Sequence, residues 1–235
     1  FQIFKSTPLA IDNGPYGSGL PNEKTATRFH NAVLVGPVGA ASSANDGSSG
    51  QTGASPMSFI ADPENSSSDK GDISKFESGS GYTYTIGDAT KAYDSARLTN
   101  YVRKFLFIKP DYFIVLDKIS LPNVSNPIRW LLQSDTAPAV SGRNVTITNS
   151  SGRLFAKMLL PTDAAVTSNP ILTDNFRIEF VPGTVRTNET FLTVMRATDS
   201  GQIAMTAALL QSNTGNLIGA LIGTNVALLG SATPN

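Results

Sequence analysis

One histidine, no cysteine and eighteen acidic residues bound the chemistry this 235-residue sequence can hold. Without cysteine there is no disulfide, thiol nucleophile, iron–sulfur cluster or thiolate zinc site. With His30 alone, no metal site of several histidines and no His–His acid/base pair can form within the chain. A Ser-His-Asp hydrolase would have to use His30, and no GxSxG elbow accompanies it. The glycines of GPYGSG at 14–19 lack the strand–GxGxxG–helix context, and no GxxxxGK[ST] phosphate loop exists. Carboxylate pairs for glycoside hydrolysis cannot be selected from sequence, because the required separation is spatial. Asp111, Asp163, Asp174 and Asp199 read as surface carboxylates in turns.

Three positions stand apart. Asp12 ends an apolar strand and precedes Asn-Gly-Pro-Tyr, where its plain reading is an Asx-turn cap. His30 opens the strand-like run HNAVLV, and a lone histidine at a strand start is usually a hydrogen-bonded structural residue. Asp117 sits in the apolar run YFIVLDKI, and reads as a strand-end carboxylate that accepts backbone N–H groups of the following turn.

The elements that must position these residues are strands. The hairpin YVRKFLFI (101–108) and YFIVLDKI (112–119) turns over Lys109, Pro110 and Asp111. FQIFKSTPLAID (1–12) alternates like a strand, and YTYTI (82–86) is another. Further runs lie at 128–132, 144–148, 154–160, 176–181, 191–196, 203–210, 217–222 and 226–229. Turn chemistry divides them: SGR at 141–143, SSGR at 150–153, SNP at 168–170, VPG at 181–183, DSG at 199–201, NTGN at 213–216 and IGTN at 222–225. The one helix-like piece is 88–93, where Asp88 could cap a single turn. This pattern predicts an all-β, antiparallel two-sheet β-sandwich with little helix. The hairpin should be central, with Leu106, Ile108, Phe113, Val115, Trp130 and Leu159 buried. Segments 40–56 and 63–72 are poor in apolar residues and read as mobile loops inside the one sandwich.

Eighteen Lys and Arg balance eighteen Asp and Glu, so no basic excess exists to neutralise phosphates, and nucleic acid is not an expected partner. No apolar run is long enough for a membrane span. The chain starts at Phe1 with no visible signal peptide, which suggests a processed start or a piece of something longer. Sequons at Asn65, Asn123, Asn144, Asn149 and Asn188 are weak evidence of glycosylation in a sequence this rich in Asn, Ser and Thr.

Taken in order, these pieces resemble the C-terminal β-sandwich of heparinase II/III-like polysaccharide lyases. IDNGPY (11–16) matches a strand ending in Asp-x-Gly-x-Tyr, and TRFHNAVLV (27–35) a Thr-x-x-His-Asn element. FESGSGYTYTIGDATKAY (76–93), the hairpin 102–119, WLLQSDTAPAV (130–140), GRLFAKMLLP (152–161), FLTVM (191–195) and LIGALIGTNVALLGS (217–231) follow in the family's order. The resemblance implies a sandwich over 1–235 that closes one side of a cleft. In such enzymes an N-terminal helical toroid supplies most of the catalytic groups, and the resemblance implies β-elimination on an acidic, uronic-acid polysaccharide. It implies a periplasmic or extracellular location, a metal, usually zinc, held by Asp12 and His30, and substrate-binding positions at Tyr16 and Asn31.

The departures from the family pattern carry expectations of their own. No toroid is present, and the His-x-His-x-Asp strand that precedes the Asp strand in the family would fall before Phe1. Gln133 occupies the place of the family's Trp-x-x-His histidine. The catalytic residues are therefore unknown, the chain alone is expected to be inactive, and zinc is expected to bind weakly or not at all. A hydrogen bond between His30 and Asp12 is the expected remnant. A toroid, or a neighbouring chain completing the sheet, is the expected partner. The alternative is a non-catalytic extracellular module, carbohydrate-binding or structural, and self-assembling through an exposed edge.

Overall fold

The run Phe113–Leu116 is apolar at every position, so a strand there must bury both faces rather than one. That requirement shapes the whole molecule. The computed structural model describes residues 1–12, 27–36, 70–172, 175–212 and 217–230. Within them the strands are β1 (Ile3–Lys5), β2 (Thr7–Ala10), β3 (Val33–Val35), β4 (Asp72–Ser78), β5 (Tyr82–Asp88), β6 (Asn100–Ile108) and β7 (Tyr112–Ser120). They continue as β8 (Ile128–Ser134), β9 (Ala139–Ser141), β10 (Asn144–Asn149), β11 (Gly152–Leu160), β12 (Ala165–Leu172) and β13 (Asn175–Val181). The last are β14 (Asn188–Asp199), β15 (Ala207–Gln211), β16 (Ile218–Ile222) and β17 (Asn225–Leu228). No α-helix occurs among the described residues, only short 3-10 turns such as Thr27–Phe29 and Thr90–Ala92.

An eight-stranded sheet of order β4-β5-β6-β7-β14-β11-β10-β9 faces a four-stranded sheet of order β12-β13-β8-β3. All pairings are antiparallel, and the two sheets form the expected sandwich. Val115, Ile119, Leu154, Phe191 and Met195 from the large sheet meet Val33, Trp130, Leu132, Ile178 and Phe180 from the small one. The large sheet's other face is apolar too: Ile114, Leu116, Leu192 and Val194 are covered by a third sheet, β15-β16-β17. The sequence reading of two sheets thus gains an outer third layer at the C-terminal end.

The hairpin β6–β7 lies third and fourth in the large sheet, with Ile108 opposite Tyr112 and Tyr101 opposite Ile119. Val115, Trp130 and Leu159 are buried. Leu106, Ile108 and Phe113 are half-buried near the turn, where the sheet outruns the layers that cover it. Asp88 caps the 3-10 turn by accepting the Thr90 N–H at 2.8 Å.

Three local readings are corrected. The segment 1–12 is a tight antiparallel ribbon, because Ser6 at φ 60° reverses the chain between β1 and β2. SNP at 168–170 is strand rather than turn: Ser168, Asn169 and Pro170 pair with Ile178, Arg177 and Phe176. Proline is tolerated there because β12 is an edge strand. The supposed loop 63–72 gives way to β4 at Asp72, a strand exposed along its length and therefore without the burial alternation that marks a strand in sequence. Residues 63–69, the segment 40–56, Tyr16, Asn65, Asp174 and the 213–216 turn lie outside the described residues.

Candidate functional site

His30 follows the 3-10 turn Thr27–Phe29, and its N–H donates to the Thr27 carbonyl at 3.1 Å. Asp12 follows β2 on the other side of the same opening. Their side chains meet: His30 Nδ1 and Asp12 Oδ1 are 2.6 Å apart. The hydrogen bond expected as a remnant of the family site is therefore present.

What brings two loop residues together is a buried polar hub. Asn31 donates through Nδ2 to the carbonyls of Phe1 (2.7 Å) and Ile11 (2.9 Å), and its Oδ1 accepts the Gln133 N–H at 2.7 Å. The Ile11 N–H donates to the Gln133 carbonyl at 3.1 Å. Gln133 Nε2 donates to the carbonyls of Arg28 (3.1 Å) and His30 (3.3 Å). Each member of the pair is thus tied through backbone to one strand, β8. Asn31, expected to touch substrate, spends its amide on this clamp.

The clamp rests on an ion pair between the two large layers. Asp117, on β7, is fully buried and accepts Arg103 Nε at 2.7 Å and Nη2 at 2.9 Å. Its Oδ2 also accepts Trp130 Nε1 at 2.8 Å. Arg103 Nη1 donates to the Asn31 carbonyl at 2.7 Å. Burial alone pushes the Arg103 pKa down, but the Asp117 carboxylate outweighs it and holds the guanidinium more firmly protonated than usual. Burial also raises the Tyr101 hydroxyl well above its ordinary pKa, so it stays protonated beside this pair. The strand-end reading of Asp117 is corrected: it lies mid-strand and binds Arg103 on the neighbouring strand β6 and Trp130 across the sandwich. The missed signal was the hairpin register itself, since the turn at 109–111 sets Arg103 directly opposite Asp117.

These residues floor a cleft of about 840 Å³ lined by Asp12, His30, Asn31, Tyr101, Arg103 and Phe105, among others. Asp72 and Asp88 stand on its rim, the first paired with Lys91 at 3.1 Å and the second engaged as the turn cap. A carboxylate on one imidazole nitrogen fixes the ring's tautomer and orientation, leaving the other nitrogen to act in the cleft.

Zinc asks for about four N, S or O ligands around one point. Here Asp12 and His30 direct donor atoms at each other, and Gln133 turns its NH₂ towards backbone carbonyls. No group of three or more His, Asp or Glu suited to a metal occurs among the described residues. The described residues do not fit a closed zinc site.

No protein-family model matches the chain, and no curated protein matches it by sequence. Solved structures do share its fold. Heparan sulfate lyase HepC from Pedobacter heparinus superposes with a TM-score of 0.65 and 16% identity over 98% of this chain. A heparinase III gene product gives 0.68 and 13% over 97%, and a further heparinase III gives 0.58 and 12% over 95%. The chain has the fold of one part of these lyases and spans only 36%, 35% and 34% of their lengths. No helix among the described residues is long and apolar enough to cross a membrane.

Proposed function

We propose that this chain is the β-sandwich part of a polysaccharide lyase that cleaves a uronic-acid polysaccharide by β-elimination, outside the cytoplasm. The observation that carries the reading is the Asp12–His30 pair, oriented at a cleft in a fold matched by HepC over 98% of the chain. In β-elimination a base takes the C5 proton and the electron pair forms the C4–C5 double bond. The C4–O bond breaks, and the leaving oxygen takes a proton. His30, oriented by Asp12, presents its second nitrogen for proton exchange with the bound sugar. The remaining base and charge-neutralising groups come from the part of the lyase outside this chain. They supply several orders of magnitude of rate, so the sandwich alone is inactive.

The test is ultraviolet absorbance of the unsaturated product on heparan sulfate, alginate and other uronate polymers. The 235-residue chain alone gives no product. Placed in HepC in exchange for that enzyme's own matching part, it restores product, and His30→Ala lowers the rate at least about tenfold, the low end of general acid–base effects. Robust product from the chain alone would show that the catalytic groups lie elsewhere. A folded chimera without product would remove the lyase reading.

In this reading the site works without tightly held zinc. Two protein donors and water give little advantage over bulk solution, so the metal should leave readily. Elemental analysis of the purified chain without added metal should find zinc far below one per chain. Stoichiometric zinc, lost in both Asp12→Ala and His30→Ala, would contradict this.

A further inference from the structure

Among the described residues β4 ends the large sheet, and all seven of its residues are exposed. Neither buried cluster contains a residue of β4, so it runs past both covering layers. Ile73 and Phe76 are 73% and 65% exposed on it. Folded proteins usually blunt such an edge with an unpaired charge or proline. Here proline is absent from β4, Lys75 is neutralised by Glu77 of the same strand at 2.9 Å, and the β-bulge between Ile73 and Lys75 leaves the stretch from Lys75 to Ser78 in regular register with β5.

The backbone groups of the edge can be assigned. The Gly79 N–H donates to the Tyr82 carbonyl at 2.9 Å, which makes 79 and 82 a hydrogen-bonded pair. Antiparallel pairs alternate, so Glu77–Tyr84 is also hydrogen-bonded, whereas Phe76–Thr85 is not. The N–H and C=O of Phe76 therefore point away from β5, towards open solvent.

We propose that β4 pairs antiparallel with β4 of a second copy of this chain, about a two-fold axis at Phe76. Three features select this register. The outward N–H and C=O of Phe76 meet their own counterparts, as the central pair of a two-fold antiparallel ladder requires. Lys75 falls opposite the second copy's Glu77, and Glu77 opposite its Lys75. On that face, four charges form a square in which every neighbour is of opposite sign. On the other face the two Phe76 rings, otherwise exposed, cover each other. Shifting the centre to Lys75 would oppose Lys75 to itself, and shifting it to Glu77 would oppose two carboxylates. This inference stands independently of the lyase reading.

The experiment is sedimentation velocity of the 235-residue chain over a concentration series reaching about 100 µM, a range that detects weak complexes. The parent chain should show a monomer–dimer equilibrium. Glu77→Lys and Lys75→Glu each place like charges opposite one another twice and should weaken the dimer about tenfold or more. The double variant Lys75→Glu/Glu77→Lys rebuilds the square with its signs exchanged and should recover dimerisation. All three changes are on exposed side chains and should leave the far-ultraviolet circular dichroism unchanged. A parent chain monomeric throughout overturns the proposal. So does a dimer indifferent to both single variants, or one that the double variant fails to restore.

Discussion

Asp117→Ala should lower the stability of the fold by about 3–5 kcal/mol, the usual result of removing one partner of a buried ion pair. The carboxylate is fully buried and accepts three donors from Arg103 and Trp130. Removing it leaves Arg103 charged in the interior and Trp130 without its acceptor. Even without Asp117, an arginine guanidinium cannot escape by losing its proton at any ordinary pH. Arg103→Met should be comparably harmful, since it strands the carboxylate instead. Asp117→Leu/Arg103→Met should recover much of the loss, because apolar replacement of both partners of a buried pair is often nearly neutral. Urea unfolding of the four proteins supplies the cycle. Loss of less than about 1 kcal/mol in both single variants would place the pair in a solvated environment and contradict the structure. The double variant should also free the Asn31 carbonyl from Arg103, so the His30 ring resonance, unique in this chain, should broaden or shift even where stability returns.

Gly219→Ala should cost about 3 kcal/mol, at the upper end of typical overpacking penalties. A Cβ at this position would run into the Ala227 carbonyl oxygen and sit 2.9 Å from its carbonyl carbon. The obstacle is backbone of the paired strand β17, which cannot swing aside like a side chain. Relief requires β16 and β17 to separate, and with them the sheet that covers Ile114, Leu116, Leu192 and Val194. The damage should therefore be regional. Limited proteolysis should cut the segment after Thr206 at urea concentrations where Trp130 fluorescence, reporting the opposite core, is still native. A variant as protease-resistant as the parent would mean that the strands accommodate the methyl group.

Much of the fold was legible because the strands that build it carry apolar runs between turn residues. The hairpin at 101–119 could be placed almost to the residue, since proline and aspartate fix its turn and its register follows. β4 and β12 were not legible for opposite reasons. β4 buries neither face and so has no period to read. β12 holds a Ser-Asn-Pro sequence that only an edge position permits. The third layer was hinted at by consecutive apolar residues in β7, which a two-layer reading leaves half unexplained. At the site, Asp12 and His30 came from the ordered resemblance, and the structure brings them into contact. Asn31 and Gln133 came from the resemblance too, as a substrate-binding position and as the place of a family histidine, but their joint work as a hub was not legible, because it runs through backbone groups that leave no mark in side-chain spacing.

The position of β14 governs how this protein can be synthesised. It lies between β7 and β11, pairing Asn188 with Ser120 at one end and Asp199 with Gly152 at the other. No strand between residues 120 and 188 can take its place, because the chain in that stretch builds β8, β9, β10, β11, β12 and β13 elsewhere. A ribosome-bound chain that has emerged only to Val181 thus holds two unjoined halves of one sheet. Each ends in an apolar strand with open hydrogen-bonding groups, at β7 and at β11. Such pairings between distant stretches form slowly, and waiting edges of this kind invite aggregation. Any truncation before Asn188 should collect as insoluble material rather than as a smaller domain, and the chain should need to be kept unfolded, or chaperoned, until β14 is made.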